Sequence, residues 1–376
     1  MSTKQIILIS LISIFGASTS AQDKYEKRAN PDDYDTPVMK AICYGITAPS
    51  PHNTQSWFLD TLSDTEMLLY VKHLLPETDP LARQIHMGAG CFIELVSVGM
   101  TKEGYQTVVE YLPMGDYEMN DYQVAGKPVA KITLIKNEAE NKDVLYDYIY
   151  QRGTNRSAYK GKMISNEEFA QIKSLIGDAS SELIFITGKE QMMPFLDIFS
   201  KAMEIETRTK ATNEETRRMF RFSEQERAEK KDGISIPQMG YSGMIEKIAE
   251  KSLNDGDSIT WHSEKNIKAT MKGIDKGIYS SKGIIILKTP SNTKLDWLNS
   301  GRDYARFNIA IAKLGIVTHP YSQVLQEYPE MEALQKQYRQ LAGIDGEEKT
   351  QIIVRIGRAK ATYKSWRKMP EDFIVE

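Results

Sequence analysis

Two stretches, ELVSVGMTKEGYQ (Glu94–Gln106) and NIAIAKLGIVTHP (Asn308–Pro320), run through the same parts in the same order: apolar helix, glycine, strand. Nothing else in the chain constrains its fold as much. Ile85, Ala89, Phe92, Val96 and Met100 recur at helical spacing, so Ala82–Met100 reads as one buried amphipathic helix. Tyr304, Phe307, Ile311 and Leu314 give Trp297–Leu314 the same character. The pair reads as a pseudo-repeat, and 376 residues suffice for two domains or one large double unit.

The elements around these helices fit that plan. A helix over Asp35–Tyr44 and a strand over Glu66–Val71 precede the first. Strands over Thr107–Leu112 and Val129–Lys136, bounded by Gly and Pro, follow it. The second unit has a short helix over Leu145–Tyr150, a helix over Glu167–Ile176, and strands over Leu183–Thr187 and Gln351–Gly357. Between Phe195 and Lys282 lies an excursion too long for a simple connection, which makes it a subdomain or lid. Its charged run, Glu204–Lys231, reads as a solvated helix face. DGISIPQMGYSG (Asp232–Gly243) is a Gly- and Pro-punctuated loop before a helix over Met244–Leu253.

Lys4, the apolar run Ile6–Phe15 and the small residues before Ala21 read as a secretory leader. The run is shorter than the roughly 20 residues that a spanning helix needs. The expectation is an exported, periplasmic protein, with residues 1–21 as leader and no membrane association after cleavage. A net charge of −3 gives no sign of a nucleic-acid surface. Cys43 and Cys91 are the only cysteines. Export would permit them to pair, but the apolar helical setting of Cys91 favours a buried free thiol. Two cysteines and five scattered histidines show no metal-binding spacing.

Three stretches carry chemistry. APSPHNTQSW (Ala48–Trp57) is a loop stiffened by Pro49 and Pro51. It projects Ser50, His52, Asn53 and Gln55, a set suited to hydrogen-bonding the edge of a flat heteroatom-rich ring, or to forming an Asx-type turn. RGTNR (Arg152–Arg156) places two guanidiniums around Thr154 and Asn155, which suits a phosphate or a surface arginine pair. Beyond the last strand, Arg358, Lys364, Ser365, Arg367 and Lys368 form either a solvated basic tail or a second phosphate wall. There is no GxxxxGK[ST] and no GxSxG, and GAG at Gly88 lacks the third glycine of a dinucleotide fingerprint.

The order of these stretches resembles the FMN-dependent nitroreductase family. APSPHNTQSW is similar to its APS-x-x-N-x-QPW loop, RGTNR to its R-x-S/T-x-R motif, and SWRKMPEDF to its C-terminal S-x-R-x-P-x-E-D segment. MFRFSEQERAEKKDGIS and WLNSGRDYARFNIAIAKLGIVTHPYSQ look most like the Acg-like branch, which fuses two such halves. The resemblance covers about Asp35 to the C-terminus. It implies an α+β, nitroreductase-like fold of two tandem halves, 22–144 and 145–376. The halves would form a monomeric, intramolecular pseudo-dimer, with a lid over about 195–282.

The resemblance also implies an FMN-dependent oxidoreductase acting on a small, aromatic or nitro substrate, with NAD(P)H or another donor. Ser50, His52 and Asn53 would meet the flavin ring, with Gln55 supporting the loop. Arg152, Thr154, Asn155, Arg156 and Arg367 would hold the phosphate and ribityl end. Pro320, Ser322 and Gln323 would lie near the reactive edge of the ring. Ser56 replaces the usual proline, and Ser322 or Gln323 stands where the family has an acidic residue. No catalytic side chain is assigned; His319 is a loop histidine first and a proton donor second. The rival readings are a flavin-sequestering protein under a closed lid and a binding protein for another phosphorylated ligand.

Overall fold

The computed structural model describes residues 27–375 except 138, 140, 254, 255, 361 and 362. The leader expected at residues 1–21 lies outside the described residues. The fold is mixed α/β. An N-terminal sheet contains β1 (Trp57–Ser63), β2 (Glu66–Val71), β3 (Tyr105–Tyr111) and β4 (Ala130–Lys136). A C-terminal sheet contains β5 (Glu182–Ile186), β6 (Gly283–Thr289), β7 (Val317–Pro320) and β8 (Lys349–Gly357). Their strand orders are β1-β2-β4-β3 and β5-β6-β8-β7, all antiparallel. Position for position, the second order repeats the first.

Helices α1 (Pro37–Gly45) and α2 (Arg83–Lys102) accompany the N-terminal sheet. The rest are α3 (Asn166–Ile176), α4 (Lys189–Arg208), α5 (Lys210–Arg218), α6 (Glu224–Lys230), α7 (Gly243–Ser252), α8 (Ser258–Trp261), α9 (Glu264–Ile278), α10 (Lys294–Lys313) and α11 (Glu332–Ala342). Six of them, α4 to α9, stand between β5 and β6 in the chain. No helix among the described residues is long and apolar enough to cross a membrane.

The two long helices read from the sequence meet at the centre. Asp79 starts α2 by accepting from the amides of Gln84 and Ile85, both at 3.0 Å. A capping box between Thr293 and Asp296 starts α10. The helices cross at glycines: a Cβ on Gly90 would sit 1.9 Å from Leu298 O, and one on Gly301 2.1 Å from Met87 O. Cys91 Sγ donates to Gly301 O at 3.0 Å across this contact. Both cysteines are buried free thiols. One apolar cluster draws on both sheets and both helices, from Val38 and Leu69 to Phe307 and Val354.

β6 explains the size of the C-terminal unit. Ile285 and Leu287 join the central cluster, while Ile284 and Ile286 face a second cluster with Phe199, Tyr321 and Tyr338. A strand buried on both faces reads as an unbroken apolar run, without alternation. A third, smaller cluster (Phe220, Ile234, Ile236, Leu253 and Trp261) gives the segment after α5 a core of its own.

Two expectations are corrected. Leu145–Tyr150 forms only a 3-10 turn, Tyr146–Tyr148. The charged run is not simply solvated: Glu206, Glu215, Arg221 and Arg227 are buried. Arg227 pairs with Glu224 of its own helix and with Glu250, which ties α6 to α7, and Arg221 pairs with Asp232 across the α6 hairpin.

Candidate functional site

After Ser50 the loop of residues 48–57 tightens into a 3-10 turn, Pro51–Asn53. His52, Asn53 and Gln55 have φ of 48°, 56° and 52°, left-handed values that are uncommon outside glycine. Such strain persists only where surrounding contacts over-determine it. Those contacts come from three directions. Ser50 Oγ accepts from Gln55 N at 3.0 Å. Gln55 Nε2 donates to Lys231 O at 2.8 Å, and Gly233 N to Asn53 O at 3.3 Å. From the C-terminal strap, Lys368 N donates to Gln55 Oε1 at 3.0 Å, while Arg367 donates to Asn53 Oδ1 and to Ala48 O.

In front of this loop lies a cavity of ≈ 310 Å³. The loop contributes Pro49, Ser50 and Asn53 to its wall, and the RGTNR segment contributes Arg152 to Arg156. Asn308 and Ile311 of α10, Ile234 and Gln238 from the segment after α6, and Tyr363, Ser365 and Arg367 of the strap close it. Arg28 enters from the N-terminal arm. The volume falls at the small end of the range typical of ligand sites, about 300–1,000 Å³.

Among the described residues the charged side chains lining the cavity have one sign: Arg28, Arg152, Arg156, Lys364 and Arg367 line it, and no Asp or Glu does. The hydrogen-bond acceptors of these arginines are neutral: Arg152 donates to Thr47 O at 2.8 Å, Arg367 to Ala48 O at 3.1 Å and Arg28 to Ser365 O at 3.2 Å. Arg152 Nε and Arg367 Nε are buried with no partner. Burial pushes both guanidiniums down from the ordinary arginine value. For Arg367 the charges of Arg28 and Arg152 add to it, and Arg28 itself is lowered to about 10 by burial and Arg152.

The two ends of RGTNR face different company. Arg152 interacts with Arg28 and Arg367, whereas Arg156 is the charge felt by two histidines. Burial and then Arg156 lower His52 to about 4. Burial, Arg156 and Arg355 hold His319 well below its ordinary value, and its Nδ1 has no partner. Both imidazoles are neutral at pH 7.

The other residues singled out in the sequence fall into two groups. Thr154 bridges to Thr318 on the cavity wall. Asn155 also lines the wall, yet its side chain is occupied: Nδ2 donates to Lys360 O at 2.8 Å and Oδ1 accepts from Ser157 N at 3.0 Å. His52 lies outside the lining set, its Nε2 3.2 Å from Thr216 Oγ1 of α5. Gln55 stands behind the loop. Pro320, Ser322 and Gln323 do not line the cavity. Ser322 Oγ is engaged with the Ile353 amide at 3.0 Å, and Gln323 begins a 3-10 turn whose Val324 and Leu325 are buried. Sequence reasoning missed Arg28, Gln238 and Asn308. Asn308, a buried polar residue on an otherwise apolar helix face, carried a readable signal; Arg28 carried none. Among the described residues, no group of three or more His, Cys, Asp or Glu is placed to hold a metal ion.

No protein-family model and no curated protein matches the chain. Solved structures do match, at low similarity. A BluB-like flavoprotein from Clostridium difficile 630 is 14% identical over 61% of this chain and 95% of its own, with a TM-score of 0.35. The FMN-dependent nitroreductase NfnB from Mycobacterium smegmatis, in complex with NADPH, is 14% identical over 56% and 86%, TM-score 0.33. A nitroreductase with bound FMN from Bacteroides fragilis is 13% identical over 59% and 94%, TM-score 0.32.

Proposed function

We propose that the chain is an FMN-binding oxidoreductase of the nitroreductase type, with one FMN in the arginine-lined cavity. The observation that carries this reading is the arginine cluster: Arg28, Arg152 and Arg367 share the cavity wall, no carboxylate lines it among the described residues, and two guanidinium nitrogens are buried without hydrogen-bond partners. Burying like charges together is costly unless an anion completes them. A phosphate monoester is an anion of suitable charge, with oxygens for several arginine donors.

The residues fit the group in a definite sense. Arg152 and Arg367 hold the phosphate, Asn53 Oδ1 holds Arg367 in place, and Ser50, on the same rigid loop, offers its hydroxyl to the ligand. Arg156, whose charge reaches two neutral histidines, adds positive charge to the same wall. Ile234 and Gln238 serve as a lid that excludes water. Bound flavin supplies the hydride and electron chemistry, so no side-chain base is required. The repeated strand order supports a pseudo-dimer of two nitroreductase-like halves, one giving the Ser50 loop and the other RGTNR. This division supports a single site, because the second half has no PSxxNxQ loop. NAD(P)H is the donor we expect, a small aromatic or nitro compound the acceptor, and the periplasm the compartment.

The test is anaerobic addition of NADPH or NADH to the flavin-loaded protein. Bleaching of the flavin spectrum, followed by recolouring with a nitroaromatic acceptor, is the expected result. A flavin that dithionite bleaches but neither nicotinamide does would contradict an NAD(P)H-driven reductase and leave a flavin-sequestering protein.

A further inference from the structure

Arg28 belongs to no motif and precedes the first helix, yet it reaches the same cavity as the two arginines that the sequence pattern singles out. Its position is built, not incidental. Arg28 Nη1 donates to Ser365 O at 3.2 Å, and in return Arg367 N donates to Lys27 O at 3.2 Å. Lys27 Nζ stands 3.9 Å above the Tyr363 ring and 5.1 Å from that of Trp366. The arm at residues 27–28 therefore crosses the strap at residues 363–367, and each presents an arginine to one cavity.

Arg28, Arg152 and Arg367 come from three distant parts of the chain. Among the described residues their hydrogen-bond acceptors are all neutral, and the wall they share holds no carboxylate. Three guanidiniums brought to one wall repel, and neither the arm nor the strap is held in a helix or sheet. A multiply charged anion reverses the balance, since each guanidinium then gains a charge-assisted bond.

The geometry points to Arg28 as the third arginine of an anion clamp, through which the N-terminal arm and the C-terminal strap close together on the terminal phosphate of the ligand. Arg28 is thus a specificity-determining residue that separates a phosphorylated ligand from its dephosphorylated form. The assignment rests on the FMN reading only for the identity of the anion. It also makes arm docking and ligand binding mutually dependent: whatever fills the clamp holds the arm down, and losing the arm weakens the site.

The experiment compares the full-length wild type with Arg28→Ala and Arg28→Lys, using FMN, riboflavin and inorganic phosphate as probes. Flavin affinity is read by fluorescence quenching, and phosphate by the shift it causes in melting temperature. Losing one charge-assisted phosphate contact should weaken FMN binding by roughly ten- to a hundredfold in Arg28→Ala. Riboflavin affinity should stay unchanged, and the stabilisation by phosphate seen in the wild type should shrink. Lys keeps the charge but loses the planar fork, so Arg28→Lys should fall between. If Arg28→Ala does not fold, Arg28→Lys carries the same comparison. FMN affinity within twofold of wild type in the variants would overturn the clamp. So would an equal loss for FMN and riboflavin, the mark of a strap contact alone. If the wild type binds no FMN, the functional reading fails by itself. The clamp then stands or falls on whether phosphate stabilises the wild type more than Arg28→Ala.

Discussion

Arg152 and Arg156 sit four residues apart and share Tyr304, but Arg152 also acts on Arg28 and Arg367 and Arg156 on His52 and His319, which gives them separable roles. Arg152→Ala removes a phosphate donor and leaves Thr47 O without its 2.8 Å bond. FMN affinity should fall roughly ten- to a hundredfold with riboflavin affinity unaffected, and stability should drop by about 1–3 kcal/mol. If Arg156, whose charge reaches His52 and His319, meets the ring and not the phosphate, Arg156→Ala should weaken FMN and riboflavin alike. Fluorescence titration with both flavins checks this, and identical profiles for the two variants would refute the division. His52 supplies a pH signature. Its pKa is about 4 in the folded chain against about 6.5 unfolded, lowered by burial and then by Arg156. Below pH 6.5 the unfolded state binds the extra proton, so the stability tied to a neutral His52 is complete above 6.5 and is lost as pH falls towards 4. Urea denaturation of the wild type and His52→Asn should show a difference that is flat above pH 7 and changes between 6.5 and 4. A difference independent of pH across that window would contradict a buried neutral imidazole.

Gly90 and Gly301 let α2 and α10 cross nearly backbone to backbone. An added methyl at either would strike a carbonyl oxygen and force the helices apart, so Gly90→Ala and Gly301→Ala should each cost at least about 1–3 kcal/mol. The effect should reach the site, since Asn308 and Ile311 of α10 line the cavity. Flavin affinity should fall with melting temperature in both variants; a melting temperature within a degree of wild type would refute the close crossing. These two helices and β2 were the most legible elements, because clear helical spacing marks α2 and α10, and β2 alternates inward Met67, Leu69 and Val71 with more open positions. β6 was missed for the opposite reason: GIIILKT is apolar on both faces and abuts a helical segment. Helices α4, α9 and α11 were missed as well. Charged residues mask their apolar stripes, which bury against a cluster that only the folded sheet creates.

Across the whole molecule, the cavity gathers the N-terminal arm, the Ser50 loop, RGTNR, α10, the segment after α6 and the C-terminal strap. The loop, RGTNR and the strap were legible because a rigid loop and closely spaced arginines are local patterns. Arg28 and Gln238 were not, since tertiary closure alone brings them in, and the place of Pro320, Ser322 and Gln323 outside the cavity depends on β7 pairing with β8. Gln238 bonds to Ser365, and the Lys231 and Gly233 backbones bond to the Ser50 loop, so the segment over the cavity is latched at both sides. If that segment is a lid, Gln238→Ala should speed both FMN release and bleaching by NADPH in stopped flow; unchanged rates would mean that it packs as fixed structure. The central claim is one FMN per chain in the arginine-lined cavity. Its most direct test is the flavin released by heat from the purified full-length protein, identified by chromatography and counted against protein. The account predicts FMN at a ratio near one; FAD, a ratio near two, or a colourless protein that fails to take up added FMN would contradict it.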